Sequence, residues 1–511
     1  MSTDMHDEAR ASTLDLPAGE LEELGRAFGR LALDYLREPE ALPVFPETSA
    51  ERLAGLFGTG LPAEGAGLEV LKGACAEVFR QSRQNGHPRM FGYVASPATP
   101  VGAFASLAAA ALNSNVTSWR SAPGPTQIEQ TVVRWLAELI GFKGEGLNES
   151  CGGLLTSGGS MANLNALFVA HRTYAHDASR KGLWGERAPA TLYASDQVHL
   201  SIPKAADILG FGREQVRVVP SDESFRIDVR LLRERIEADV RKGLRPFCVV
   251  ASAGTVSTGA VDALNEVASV ARAHSLWFHV DGAYGALAAS TNAKRALFEG
   301  LAEADSVSLD PHKWLYTPLG AGCLLLREPE RARAAFAGTE EGYIKVFERE
   351  EAEAFAFWDY GTELSRPFRA LKVWATLAYY GARRISAAIE EDCAMAEYMA
   401  ERVRAAEEFE LLAPVTLGIC CFRYIANDAR RELGTEDEEQ RKELNARLDR
   451  LNERVMHRVQ RGGEAYVSNA VLRGRFALRA SVTNYRTTRR DIDLTLEVIS
   501  RAAHEEGKDE R

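Results

Sequence analysis

The sequence predicts an α/β chain in which a doubly wound domain with a largely parallel sheet is followed by a smaller α+β domain. Three observations carry this. Short apolar, β-branched runs alternate with helical stretches between residues 150 and 330, the texture turns helical after Gly361, and strand patterning returns near residues 418 and 476. Alternating strands and amphipathic helices are the pattern of parallel strands joined by crossover helices.

In chain order, the first dozen residues are polar and expected to fray. From Pro17, after Asp15 as a cap, Leu21, Leu24, Phe28, Leu31 and Tyr35 recur at helical spacing. That is an amphipathic helix with one face to bury, against either a second subunit or its own domain. The expected strands are 191–195, 216–219, 247–252, 277–280, 306–309 and 323–326, with helices over 231–240 and 264–273 among them. Helices follow over 367–380 and 385–404, then a strand over 418–424. Residues 428–450, dense in both charge signs, read as a solvated helix face. A strand over 476–482 and a helix over 489–502 close the chain. The organisation expected is an N-terminal helical segment 1–100 that packs in a dimer, a large domain 101–380 and a small domain 381–511.

Composition narrows the function. The 511 residues hold 61 Lys plus Arg against 72 Asp plus Glu, a net charge of −11, which leaves no general attraction to nucleic acid or anionic lipid. The longest apolar run, 101–112, is too short to span a bilayer, and the acidic start MSTDMHDEAR lacks a signal pattern. Seven cysteines are scattered without CxxC spacing, which suits a reducing, cytoplasmic setting and no cysteine metal site. His171 and His176, five apart, match one helical face poorly, so no metal is expected.

Ligands of doubly wound sheets bind beyond the carboxyl ends of the strands, and three such ends carry polar residues: His199, Asp281 and Lys313. A lysine just after an apolar strand is partly desolvated, which favours a nucleophilic amine that forms a Schiff base. Asp281 lies 32 residues before it, a span that fits strand, helix and neighbouring strand. A lysine and a carboxylate at adjacent strand ends suit pyridoxal phosphate, which needs a Schiff-base lysine and an acid partner for its ring nitrogen. Singly, each residue has a plainer account: a turn aspartate, a surface lysine, a core histidine. Their coincidence favours a site. TSGGSMA at 156–162 adds glycines, a hydroxyl and a helix start for a phosphate, and matches neither a Walker A loop, a GxGxxG fingerprint nor a GxSxG elbow.

DPHKW, HVDGAYG, the HPRMFGY segment from His87 and the spacing among them resemble the group II pyridoxal-phosphate-dependent amino acid decarboxylases, from about residue 17 to about 500. The resemblance implies the aspartate aminotransferase-like fold (fold type I), with a mixed, mostly parallel sheet in the large domain and a smaller α+β C-terminal domain. It implies a homodimer with shared active sites. It also implies Lys313 as the Schiff-base lysine, Asp281 as the ring-nitrogen partner and His199 stacked on the ring. Gly159, Ser160, Ser201 and His312 match phosphate-binding or adjacent positions, Ala283 the small residue against the ring, and Thr255 a motif beside it. Asp310 stands where the animal aromatic enzymes have asparagine, and it is left out of the cofactor set. Tyr343, in the GYIKVFE stretch, matches a loop tyrosine that protonates the substrate α-carbon. Tyr93, Ser96 and Trp119 are the substrate-facing candidates, while Val94, Asn115 and Thr117 occupy positions that are bulkier or more apolar in the animal enzymes.

The expected reaction is decarboxylation of an L-amino acid, aromatic by preference, to its amine. The alternatives are an aldehyde synthase, or a decarboxylase of a polar amino acid such as diaminobutyrate or glutamate. Aldehyde-forming relatives tend to carry phenylalanine at the loop tyrosine or asparagine at the ring-stacking histidine, so Tyr343 with His199 favours the amine.

Overall fold

The computed structural model describes residues 14–143, 151–175, 178–185, 188–337, 353–432 and 437–509. Two compact units divide at Gln84. The first holds α1 (Ala18–Arg37), α2 (Ala50–Phe57) and α3 (Leu68–Arg80). Ser49 caps α2, its hydroxyl accepting from the Arg52 amide at 3.1 Å. Tyr35 of α1 meets Phe79 of α3 edge to face, ring centroids 5.4 Å apart. None of these helices contains a buried residue, and Leu21, Phe28, Val70, Leu71 and Val78 are exposed.

The second unit opens with α4 (Pro100–Leu112), capped by Thr99 with proline at its first position, and α5 (Pro123–Ile140). A seven-stranded sheet follows: β1 (Gly152–Thr156), β2 (Ala190–Ser195), β3 (Val216–Val219), β4 (Arg245–Ser252), β5 (Trp277–Asp281), β6 (Ser306–Leu309) and β7 (Gly322–Leu326), in spatial order β1-β7-β6-β5-β4-β2-β3. β3, β2, β4, β5 and β6 run parallel, and β7 is antiparallel to both β6 and β1. β1 therefore points the same way as β6. Its carboxyl end joins the others on one rim, where α6 (Gly159–Tyr174) begins. In the parallel register Ser252 faces Asp281, and Asp281 faces Ser308.

Helices cover both faces, among them α7 (Ser201–Ile208), α8 (Val229–Arg241) and α9 (Leu264–Ala273). Burial on both faces is why the central strands read as unbroken apolar runs. The C-terminal half of this unit adds a separate four-stranded antiparallel sheet, β10-β11-β9-β8, from β8 (Phe409–Leu411), β9 (Ile419–Tyr424), β10 (Ser468–Leu472) and β11 (Arg475–Ser481). It packs with α11 (Ala370–Ala405), α12 (Glu438–Gly462) and α13 (Arg489–Asp509), while α10 is the short turn Pro311–Trp314 of the large sheet.

Three expectations are corrected. β1 was not expected as a strand, because two glycines open it; Gly153 is there because a β-carbon would overlap the Leu324 carbonyl across the ladder. The crossover from β5 to β6 is three 3₁₀ turns, Ala286–Ser290, Arg295–Phe298 and Leu301–Glu303, in place of an α-helix. The two helices expected over 367–380 and 385–404 are found on either side of Gly381, whose non-helical φ of 72° and ψ of 156° break the run between them and suit glycine. In the charge-dense segment, α12 buries Leu444, Leu448, Leu451, Val455 and Val459 along one side, so only its other faces are solvated. No helix among the described residues is long and apolar enough to cross a membrane, and all seven cysteines are free.

Candidate active site

A cavity of about 720 Å³ opens on the rim where the strands end. Lys313, Asp281, His199, Gly159, Ser160, Thr255, Ala283, His312 and Tyr93 all line it. Eight of these, from Gly159 to Lys313, meet because the strands deliver their carboxyl ends to one edge, and Tyr93 joins them from the segment before α4. Ser201 reaches the site through His199: the hydroxyl and Nδ1 are 2.8 Å apart. Ser96 is committed elsewhere, donating to the His312 carbonyl at 2.8 Å, and neither it nor Trp119 is on the cavity wall of the single chain. Val94 lines the cavity, whereas Asn115 accepts from the Arg366 amide at 2.8 Å and Thr117 is buried off the wall. Tyr343 lies outside the described residues.

Lys313 sits on α10, one turn beyond β6, where Pro311 starts the turn. Its side chain is 20% exposed, the partial desolvation expected, but Nζ is 2.8 Å from Asp310 Oδ2. The amine is thus in an ion pair within the turn. Asp310, set aside on sequence grounds, is central to the geometry: it lines the cavity, and its Oδ1 is buried without a hydrogen-bond partner. His312 donates from Nδ1 to the Ala321 carbonyl at 2.8 Å. Burial pushes its pKa down, Asp310 opposes that, and the Lys313 charge adds to it.

Asp281 ends β5, and three donors fix its carboxylate. Oδ1 accepts from the Ala283 amide at 3.2 Å and the Ser308 hydroxyl at 3.1 Å, and Oδ2 accepts from Asn163 Nδ2 at 2.9 Å. Thr255 sits in a tight loop after β4, its hydroxyl accepting from the Ala260 amide at 3.1 Å and paired with Thr258 at 3.0 Å.

Sequence reasoning missed Asn163, Arg479 and Tyr284. Asn163 stands on the first turns of α6, where a lone asparagine looks like any helix-start residue. Arg479 is an arginine in the apolar run FALRAS, a visible anomaly; it donates to the Val256 carbonyl at 2.9 Å and the Tyr93 carbonyl at 2.8 Å, tying two cavity segments together. Tyr284 stacks on Trp314, centroids 4.8 Å apart, behind the lysine turn.

These groups fit pyridoxal phosphate. A lysine amine and a carboxylate face one cavity, and Gly159 leaves a cradle at a helix start: a β-carbon there would come within 2.7 Å of Ala283 Cβ and 3.0 Å of Asp310 Oδ2. The first amides of a helix have no carbonyl partner within it and favour an anion.

The family described as the pyridoxal-dependent decarboxylase conserved domain matches residues 51–425. The aromatic-L-amino-acid decarboxylase of Bacillus atrophaeus is 34% identical over 479 residues, 94% of this chain and 94% of its own. The phenylacetaldehyde synthase of Petunia hybrida is 29% identical over 460 residues, 88% of each chain. Among solved structures, Oryza sativa TDC with PLP and tryptamine superposes with a TM-score of 0.87 at 27% identity, covering 97% of this chain and 99% of that one. The mixed seven-stranded sheet with a separate antiparallel sheet is the aspartate aminotransferase-like fold that the motifs imply.

Proposed function

The chain belongs to the pyridoxal-dependent decarboxylase family, and from that premise we propose that it converts an aromatic L-amino acid to its amine and carbon dioxide. The observation that carries the residue roles is the meeting of Lys313, Asp281 and His199 on one cavity wall. When bound, pyridoxal phosphate supplies a carbonyl that captures amines and a ring that draws electrons from the bond being broken.

Lys313 is the amine that would hold the cofactor. The Asp281 carboxylate, fixed by its three donors, would hold the ring nitrogen and keep a proton there. His199, Ala283 and Thr255 would border the ring, Gly159, Ser160 and His312 would hold the phosphate end, and Ser201 would act from behind by fixing the His199 ring. Tyr93, with Val94 and Val256, offers apolar surface to a substrate ring. Tyr343 Oη delivers a proton to the substrate α-carbon after carbon dioxide leaves.

The aromatic preference draws support from the Bacillus relative, and it is tested by comparing kcat/KM for tryptophan, tyrosine and phenylalanine with that for glutamate and diaminobutyrate. An aromatic substrate should lead. A second reading, aldehyde formation, is favoured by the Petunia relative's name, and Tyr343 argues against it.

The enzyme works as a homodimer with shared active sites. Exposed Leu21, Phe28, Val70 and Leu71 in the first unit, and Phe104, Leu107 and Leu112 on α4, are apolar surface that a second copy would cover. Its setting is the cytoplasm, in keeping with seven unpaired cysteines.

A further inference from the structure

We propose that Asn163 is a positioning residue whose amide couples the Asp281 carboxylate to the His199 ring and is itself oriented by a buried relay from Trp277 through Ser306 and His279. The inference rests on the cofactor roles assigned above to Asp281 and His199.

The relay has one consistent direction. The Trp277 indole only donates, and it gives its Nε1 hydrogen to Ser306 Oγ at 2.8 Å. The Ser306 hydroxyl is then free to donate onward to His279 Nδ1, 2.9 Å away. His279 is wholly buried, and burial pushes its pKa down to about 4, with the Asp281 charge opposing; the ring is neutral at neutral pH. With Nδ1 accepting, Nε2 carries the hydrogen and donates to Asn163 Oδ1 at 3.0 Å. Both Nδ2 hydrogens of Asn163 therefore face the site, one to Asp281 Oδ2 at 2.9 Å and one to Ser201 Oγ at 2.9 Å. Ser201 in turn donates from Oγ to His199 Nδ1 at 2.8 Å, and that nitrogen also accepts from the Ser201 amide at 3.2 Å.

The far end enforces the same order, because a carboxylate only accepts. A flipped Asn163 would set its carbonyl against Asp281 and its NH₂ against the His279 N–H, two like-against-like contacts inside a buried cluster. One side chain on α6 thus orients the two groups proposed to grip opposite aspects of the cofactor ring, and it leaves Nε2 as the nitrogen of His199 that carries hydrogen.

The test uses the full-length protein with pyridoxal phosphate and reads cofactor affinity, the visible circular dichroism of bound cofactor, kcat and KM for Asn163→Ala, His279→Gln and His279→Leu. Asn163→Ala should weaken cofactor binding at least ten-fold, diminish the visible dichroism, and lower kcat far more than it changes KM. His279→Gln, which keeps an N–H donor where Nε2 lies, should stay within about three-fold of wild type. His279→Leu should follow Asn163→Ala. If His279→Leu fails to fold, His279→Asn replaces it: its amide meets Ser306 but stops short of Asn163, and it must still separate from His279→Gln. Cofactor affinity and dichroism within two-fold of wild type in Asn163→Ala, or equal behaviour of the glutamine variant and its partner, would overturn the proposal. A wild type that binds cofactor with visible dichroism yet releases no carbon dioxide contradicts the reaction assigned above, and the variant comparison still judges the relay. A wild type that takes up no cofactor overturns both.

Discussion

Lys313 Nζ and Asp310 Oδ2 are 2.8 Å apart, an ion pair within the single turn that follows β6, and the other Asp310 oxygen is buried without a partner. A carboxylate so placed lies against the glycine cradle at the start of α6 and repels an anion bound there. Asp310→Asn removes that charge while keeping the shape. It should bind pyridoxal phosphate about two- to ten-fold more tightly, roughly 0.4 to 1.4 kcal/mol, by equilibrium titration in phosphate-free buffer. Weaker binding would show that Asp310 assists the cofactor site.

Gly159 offers a steric test of the same cradle. Its added β-carbon would sit 2.7 Å from Ala283 Cβ, a backbone-anchored atom that has no rotamer to retreat to. Gly159→Ala should fold, since alanine suits a helix start, and should lose at least about ten-fold in cofactor affinity through displacement of the Ala283 segment. Unchanged affinity would remove Gly159 from the cofactor set.

Much of this site was legible because chemistry concentrates at strand ends. The runs WFHVD and SVSLDPHKW mark where β5 and β6 stop, so the pairing of Asp281 with Lys313 is readable in the sequence. What escaped had no local signature. Asn163 acquires its meaning only from His279 and Asp281, which lie 116 and 118 positions away. β1 escaped because Gly152 and Gly153 resemble a loop, although close approach to β7 is what demands them. Asp310 was visible but set aside, since a carboxylate beside a phosphate site is unfavourable, and its pairing with Lys313 shows only in the fold.

The turn that carries Lys313 is also anchored from behind. Asp392 accepts from Trp314 Nε1 at 3.0 Å and Tyr316 Oη at 2.7 Å, and burial pushes its pKa up to about 7 against those hydrogen bonds. The unfolded carboxyl titrates near about 3.9, so the folded state binds this proton more tightly. The group's contribution to stability is fully present below the unfolded value and is lost as pH rises toward and through about 7. Asp392→Asn does not titrate. Its melting temperature relative to wild type should therefore rise between about pH 4 and about pH 8; a constant difference across that window would contradict the buried, protonated carboxyl.

The loop tyrosine separates amine from aldehyde. Tyr343→Phe removes the hydroxyl assigned to protonate the α-carbon and should divert most of the product to the aldehyde, read by mass spectrometry alongside oxygen consumption. An unchanged amine yield would move the proton donor elsewhere.

The central claim is decarboxylation of an aromatic L-amino acid through Lys313. It is tested most directly by incubating the wild type and Lys313→Ala, each with pyridoxal phosphate, with tryptophan, tyrosine and phenylalanine, and identifying products by mass spectrometry while counting released carbon dioxide. The account predicts one amine per carbon dioxide from the wild type and neither from the lysine variant. A keto acid or aldehyde in place of the amine, or full amine production by Lys313→Ala, would contradict it.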